Sequence, residues 1–481
     1  MRERSYYRLL FSVSLLFLIS CIDRDVYQGD AETGQEHVYV KYLYPYGNEV
    51  QNVVAEITLE MVGKIDLENI AVEIPPLKYN KSWLFMLTQD DCMHAAYSTT
   101  WAVINGKPLS NNYYYNAEQL DVGDLPPDAS LRNKLLGSTD GTGREVRFAF
   151  TTTLAPEWEW MDAKTEVNRG FTKDYYRFFM KSGLTWNNVS EMLAYGTGIA
   201  FHDVKTDAVN REDSIRKHYE LSLQIILNQL AGRGCKTLAE PNGNKTYVRA
   251  ALDYAPIQIM TAQNAGPADP ELKRLYPFRV DSDLNRHLLH RIFYDSPYDI
   301  VPQIEIQLKK DKEEREAIHL GVHGTAITFA EFLVWLNDKY GKDGDDSVWF
   351  PSLEEYYEYN YYRIHGTMTK EISGDKIKLK ISLPSRQYFY YPSVTLNLSG
   401  VKEEQIKSIS SDDKVTGLSY ANYQDGIMLN IDCRRFLVEH ATHFVEKYES
   451  NSSLSNRNDA SYFVNMLKDS ETKSGLQKRI R

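Results

Sequence analysis

With 481 residues, 42% of them hydrophobic and 25% charged, the chain has an ordinary globular composition. That length exceeds what one hydrophobic core serves and implies two or three domains. A formal net charge of −11, with no basic cluster interleaved with aromatics, argues against nucleic acid as a partner. Tyrosine is abundant, at 34 residues, with bursts at Tyr113–Tyr115, Tyr356–Tyr362 and Tyr388–Tyr391. Its flat face and hydroxyl suit sugar stacking, and they equally suit half-buried sheet positions, which account for most of these.

In chain order, Arg2, Arg4 and Arg8 precede an apolar run, Leu9–Ile19. The run is too short to span a bilayer and reads as a secretory signal. Its ending, Leu18-Ile19-Ser20-Cys21, resembles a bacterial lipobox. The resemblance implies cleavage before Cys21, lipidation of that cysteine and anchoring to a membrane. Residues 22–36 are a polar, acidic tether resembling those of Bacteroidetes-like outer-membrane lipoproteins, facing the periplasm or the cell surface. Three other cysteines, Cys92, Cys235 and Cys433, are widely spaced without a CxxC pair, which is neither a disulfide framework nor a zinc knuckle. Burial as small apolar groups is their leading reading, with a Cys92–Cys235 disulfide as the other.

Residues 37–76 read as a small β element. Val53, Ala55, Ile57, Leu59 and Met61 alternate with mostly polar residues, as Val38, Val40 and Tyr42 do, and Pro75-Pro76 closes it. Next, an apolar strand, Trp83–Leu87, runs into Thr88-Gln89-Asp90-Asp91. Two adjacent carboxylates at a strand end disfavour joint ionisation unless a cation or hydrogen bonds compensate. The plain alternative is that Thr88 to Asp91 cap a following helix. Residues 105–164 read as an insertion containing a strand, Val146–Thr152. Glu157–Met161 offers aromatic platforms to a cleft or packs locally.

From there strands and helices alternate. A helix over Thr185–Met192 leads to a strand from Ile199 that delivers His202 to a loop containing Asp207. Ile215, Tyr219, Leu223, Ile226 and Leu230 recur at helical spacing within Arg211–Ala231. A strand at Lys236–Ala239 ends in the loop Glu240-Pro241-Asn242-Gly243, followed by a helix from about Tyr247 and a strand at Ile257–Thr261. Another strand, Ala317–Val322, ends at His323, before a helix over Phe329–Lys339. Residues 77–363 therefore form an α/β domain with a parallel sheet or barrel, the notable polar groups falling at C-terminal strand ends. In residues 364–432 the period becomes two, as Ile377, Leu379, Ile381 and Leu383 alternate with lysine and serine, which predicts an antiparallel β-sandwich. Residues 433–481 read as an amphipathic helix, Arg434–Tyr448, and a polar, loose tail from Ser450 with one helix near Tyr462–Leu467.

The ordered set TQDDC, FHDVKTD, AEPNG and IHLGVH resembles the polysaccharide deacetylase family over roughly residues 77–363. The resemblance implies a distorted (β/α) barrel that removes acetyl groups from an acetylated glycan with a divalent metal, for which zinc suits mixed nitrogen and oxygen ligands. It also implies roles: Asp90 the general base, Asp91 and His202 metal ligands, His323 the general acid. The family's second ligand histidine falls at Thr206 here, so Asp207 is the expected third ligand, with His94 a weaker substitute. The family's arginine that orients the base falls at Ala239, leaving Lys236 or Arg249 as replacements. His319 reads as a buried, hydrogen-bonded core histidine. These departures keep a second reading open, a degenerate barrel that binds glycan as a surface lipoprotein without hydrolysing it.

Overall fold

The computed structural model describes residues 50, 52–63, 70–107, 109, 134–162, 183–263 and 272–481. The expected signal segment, Cys21, the tether and the strand around Val38 lie outside the described residues, as does 110–133 of the expected insertion.

The first barrel strand, β1 (Trp83–Gln89), is buried at every position. A strand covered on both faces has no polar side to show, so its sequence is a continuous apolar run rather than an alternation. Six further parallel strands follow: β2 (Thr151–Thr153), β3 (Gly198–Ala200), β4 (Thr237–Ala239), β5 (Ile259–Gln263), β6 (Leu288–Phe293) and β7 (Ile318–Val322). Each neighbours the next in sequence, β7 returns to β1, and a bridge between Phe201 and Leu238 joins β3 to β4. The sheet is thus a nearly closed parallel barrel. Helices α1 (Trp186–Ala194), α2 (Glu212–Gln229), α3 (Lys245–Leu252), α4 (Val301–Leu308), α5 (Ile327–Tyr340) and α6 (Leu353–His365) fall between and after these strands. Local chemistry sets their starts. Thr185 and Asn188 exchange hydrogen bonds in a capping box before α1, and the Asn244 and Ser352 side chains cap α3 and α6.

Two barrel strands differ from expectation. The expected strand Val146–Thr152 is split: Glu145–Arg147 pairs antiparallel with Gly137–Thr139, while Thr151–Thr153 is β2, parallel to β1. Three threonines show no apolar run, yet all three are buried: their β-branched side chains pack, and the Thr151 and Thr153 hydroxyls accept the distant backbone N–H groups of Leu353 and Cys92. Strand β6 carries no clear strand pattern in the sequence, because His290 and Arg291 interrupt its apolar residues.

Among the described residues, two short strands, Leu272–Lys273 and Val348–Trp349, add to the barrel sheet, and two four-stranded antiparallel sheets lie outside it. One has the order 367–373, 376–383, 53–61, 406–411, and the other 417–423, 426–432, 393–399, 72–73. Their inward residues, among them Ile57, Leu59, Ile381, Leu396 and Leu429, share one apolar cluster with α6. Val53–Met61, set by the sequence in an element of its own, lies between Lys376–Leu383 and Ile406–Ser411, so both ends of the chain build this unit. Beneath the barrel a fully buried ionic network ties it to α6. Arg233 Nη1 lies 3.0 Å from Glu354, Lys236 Nζ 2.8 Å from Glu358, and Glu358 also accepts the backbone N–H groups of Tyr390 and Tyr391.

The expected loose tail is helical. After α7 (Leu437–Ser450) come α8 (Leu454–Met466) and α9 (Glu471–Arg479), burying Tyr462, Phe463, Val464 and Leu476. The segment looked polar because α8 also buries Asn456 and Asp459. Asp459 is matched by ion pairs from Lys107 at 2.6 Å and Arg147 at 2.7 Å, and by the Tyr195 hydroxyl at 2.8 Å. All three cysteines named above are buried and free, with no disulfide between Cys92 and Cys235. Among the described residues no helix is long and apolar enough to cross a membrane.

Candidate active site

At the C-terminal ends of β1, β3, β6 and β7 five side chains meet. Asp90 continues β1, its N–H donating to Val322 O at 2.8 Å, and is 2% exposed. The backbone then turns sharply. Asp91 and Cys92 both take left-handed conformations, φ 63° and 50°. Aspartate tolerates this region better than most residues, and such outliers each cost about 1–3 kcal/mol unless the surroundings fix them. The turn separates the two acids: Asp90 points inward while the Asp91 side chain is half exposed. Neither caps a helix, because the helical turn Ala96–Trp101 starts after Ala95 with no side-chain cap.

Each acid has its own counter-group. Arg291, on β6, donates from Nη1 to Asp90 Oδ1 at 2.6 Å and from Nη2 to Glu240 O at 2.8 Å, and is itself buried. His202, just beyond β3, sets Nε2 3.3 Å from Asp91 Oδ1 and 4.0 Å from Asp90 Oδ2. Its other nitrogen, Nδ1, lies 2.8 Å from Ala239 O. A carbonyl only accepts, so Nδ1 carries a hydrogen and Nε2 faces the carboxylates, an orientation that second-shell carbonyls impose on ligand histidines. Burial opposes a charge on His202, but the Asp90 charge and the Asp91 hydrogen bond outweigh it and raise the imidazole pKa. The His202 hydrogen bond in turn holds Asp91 below the usual carboxylate range against the effect of burial. With its pKa raised, the His202 imidazolium itself supplies the positive charge that these carboxylate oxygens face. His323, after β7, sets Nε2 4.0 Å from Asp91 Oδ2 on an exposed side chain, and its backbone carbonyl accepts from Gln89 Nε2 at 2.9 Å.

The other expected residues are placed differently. Asp207 is exposed and makes no hydrogen bond or ion pair with the described residues, so it is not brought to Asp91 and His202. Thr206 bonds Ser214 at 2.9 Å. Glu240 is buried and paired with Lys245 at 2.7 Å; Pro241, Asn242 and Gly243 turn the chain, the last two with φ 54° and 70°, into the Asn244 cap of α3. Lys236 is spent in the buried network below the barrel, and Arg249 pairs with Glu212 at 2.8 Å. Neither lies beside Asp90; Arg291 does. His319 lies inside the barrel, 2.8 Å from Thr88 Oγ1, and burial pushes its pKa down to about 3, so it is a neutral core histidine. Among the described residues no group of three or more His, Cys, Asp and Glu side chains is arranged to hold a metal ion. Asp91 and the oriented His202 are the side chains here that could contribute to holding a cation, one fewer than the three protein ligands of an open catalytic zinc site.

A family model described as "Putative polysaccharide deacetylase" matches residues 55–481. The chain belongs to this family. No curated protein matches it. The match starts within Val53–Met61 and runs past α9, so the polysaccharide deacetylase unit here takes in both antiparallel sheets and the C-terminal helices with the barrel. Membership in the polysaccharide deacetylases carries hydrolase chemistry on acetylated glycans. What sequence reading missed in this deacetylase site is Arg291. The available signal was an arginine within Leu288, Leu289, Ile292 and Phe293, since a charge inside an apolar strand requires a buried partner.

Proposed function

We propose that the protein hydrolyses acetyl groups from a polysaccharide or oligosaccharide at this barrel mouth, with Asp90 as general base and His323 as general acid. The convergence of Asp90, Asp91, His202 and His323, with Arg291 fixing Asp90, carries the reading. Arg291 occupies one oxygen of Asp90 and leaves Oδ2 to take a proton from water as its oxygen attacks the acetyl carbon. His323, on the outer side of Asp91, delivers a proton to the leaving nitrogen or oxygen as its bond to the acetyl carbon breaks, releasing acetate and the free amine or alcohol. Asp91 and His202 would hold a divalent cation, zinc being suited to them, which would polarise the carbonyl and acidify water. The loop Glu240 to Gly243 borders the glycan.

The purified protein should release acetate from chitooligosaccharides or acetylated xylan and carry about one divalent ion per chain, a stoichiometry lost in Asp91→Ala and His202→Ala. One observation favours the second reading, a glycan-binding barrel without hydrolysis: the described residues supply no third protein ligand. Glycan binding with neither acetate release nor bound metal would establish that reading and end the first.

We further propose that Cys21 carries lipid and anchors the protein in an outer membrane. Cys21→Ser should move it from the membrane to the soluble fraction; retention in the membrane would remove the anchor.

A further inference from the structure

We propose that Phe293 is the positioning residue that aims the His323 imidazole, and that Gly321 exists to admit its ring; the inference rests on the acid role given to His323 above. Phe293 and Arg291 lie two apart on β6, hence on one face of the strand. The Phe293 ring centroid is 5.0 Å from the Arg291 guanidinium and 5.1 Å from the His323 ring, inclined at 31° to it. A column results: Asp90, Arg291, Phe293, His323.

The imidazole needs such a support. Its side chain is 56% exposed, and among the described residues its ion-pair and ring contacts are Asp91 at 4.0 Å and the Phe293 ring. The hydrogen bond from Gln89 fixes the His323 backbone and leaves the side-chain torsions free. Packing against an aromatic face removes that freedom without adding a group that titrates or competes for the proton. The room for the ring comes from the adjacent strand. Phe293 pairs in register with Gly321, and a Cβ at Gly321 would stand 2.4 Å from Phe293 Cζ. Any other residue there pushes the ring away from His323. Gly321 takes no left-handed backbone, so close approach rather than chain flexibility explains the glycine.

A proton donor matters most for a poor leaving group and little for one that departs as a stable anion. Phe293→Leu and Gly321→Ala should therefore lower the ratio of acetate release from acetylated glycan to release from 4-nitrophenyl acetate by about tenfold, a size expected from lost orientation. Phe293→Tyr should restore the ratio. An equal loss on both substrates, or no loss, overturns the proposal. A readout independent of turnover separates it from the functional reading. In selectively ¹³C-labelled histidine spectra, the His323 ring protons, identified with His323→Gln, should be shifted by the Phe293 ring current and revert in Phe293→Leu. If the wild type releases no acetate, this shift still decides: its presence and loss support the positioning, and an unshifted wild-type signal rejects it.

Discussion

Arg291→Met should destabilise the protein by roughly 3–5 kcal/mol and cut acetate release at least about a hundredfold, among the largest single-residue effects expected in the barrel. The guanidinium and the Asp90 carboxylate are both buried, 2.6 Å apart, and the same arginine bonds Glu240 O just after β4. Methionine matches the volume but leaves a carboxylate enclosed without its cation, and the desolvation cost of that lone charge dominates. Arg291→Lys should recover little, because an ammonium does not offer two divergent N–H groups in one plane. The decisive comparison is the double variant Asp90→Asn/Arg291→Met. It should regain most of the stability in urea unfolding while staying inactive. If the double variant is as unstable as Arg291→Met, lost packing rather than the stranded charge is responsible.

Asp459→Asn should loosen the C-terminal helices with a comparable loss, again roughly 3–5 kcal/mol, because it strands Lys107 and Arg147 in the interior. Burial lowers the Lys107 pKa even with Asp459 beside it, whereas Arg147 is raised and stays charged. The guanidinium is therefore the partner that guarantees the charge on Asp459. Burial pushes the Asp459 carboxyl up, but Lys107 and Arg147 outweigh it and hold its pKa at about 2, below the ordinary carboxylate range. A lowered carboxyl pKa stabilises the fold above the unfolded-state value and loses that contribution as pH falls through the folded value. Stability of the wild type should thus fall between about pH 4 and 2, and that part of the slope should be missing in Asp459→Asn. Identical acid unfolding curves for the two proteins would contradict the assignment.

Much of this site was legible because strand ends deliver it. The apolar run of β1 announced itself, and Asp90, Asp91, His202 and His323 each followed a segment with a clear strand pattern. Asp207 was placed by counting from His202, and counting does not say which way a loop turns: Thr206 bonds Ser214 and Asp207 faces solvent. Arg291 was hidden for a different reason. Its strand looks polar because an ion pair inside the barrel compensates the arginine, and a partner more than two hundred residues earlier leaves no local trace. The same holds for α8, where Asp459 reads as solvent-facing until Lys107 and Arg147 are brought beside it. Three threonines made β2 equally quiet. In each case the burial of a polar group was settled by tertiary contacts that no window of neighbouring residues contains.

Val53–Met61 sits between strands contributed by the far end of the polypeptide, Val53 opposite Leu383 and Leu59 opposite Ile409. During synthesis it is among the first described segments to leave the ribosome and among the last to find partners. Until those partners arrive, both of its hydrogen-bonding edges and its apolar face are open, a state prone to wrong pairing. This sheet therefore closes only after residue 411 has been made, and removing either 53–61 or 376–411 takes away strands that the other requires.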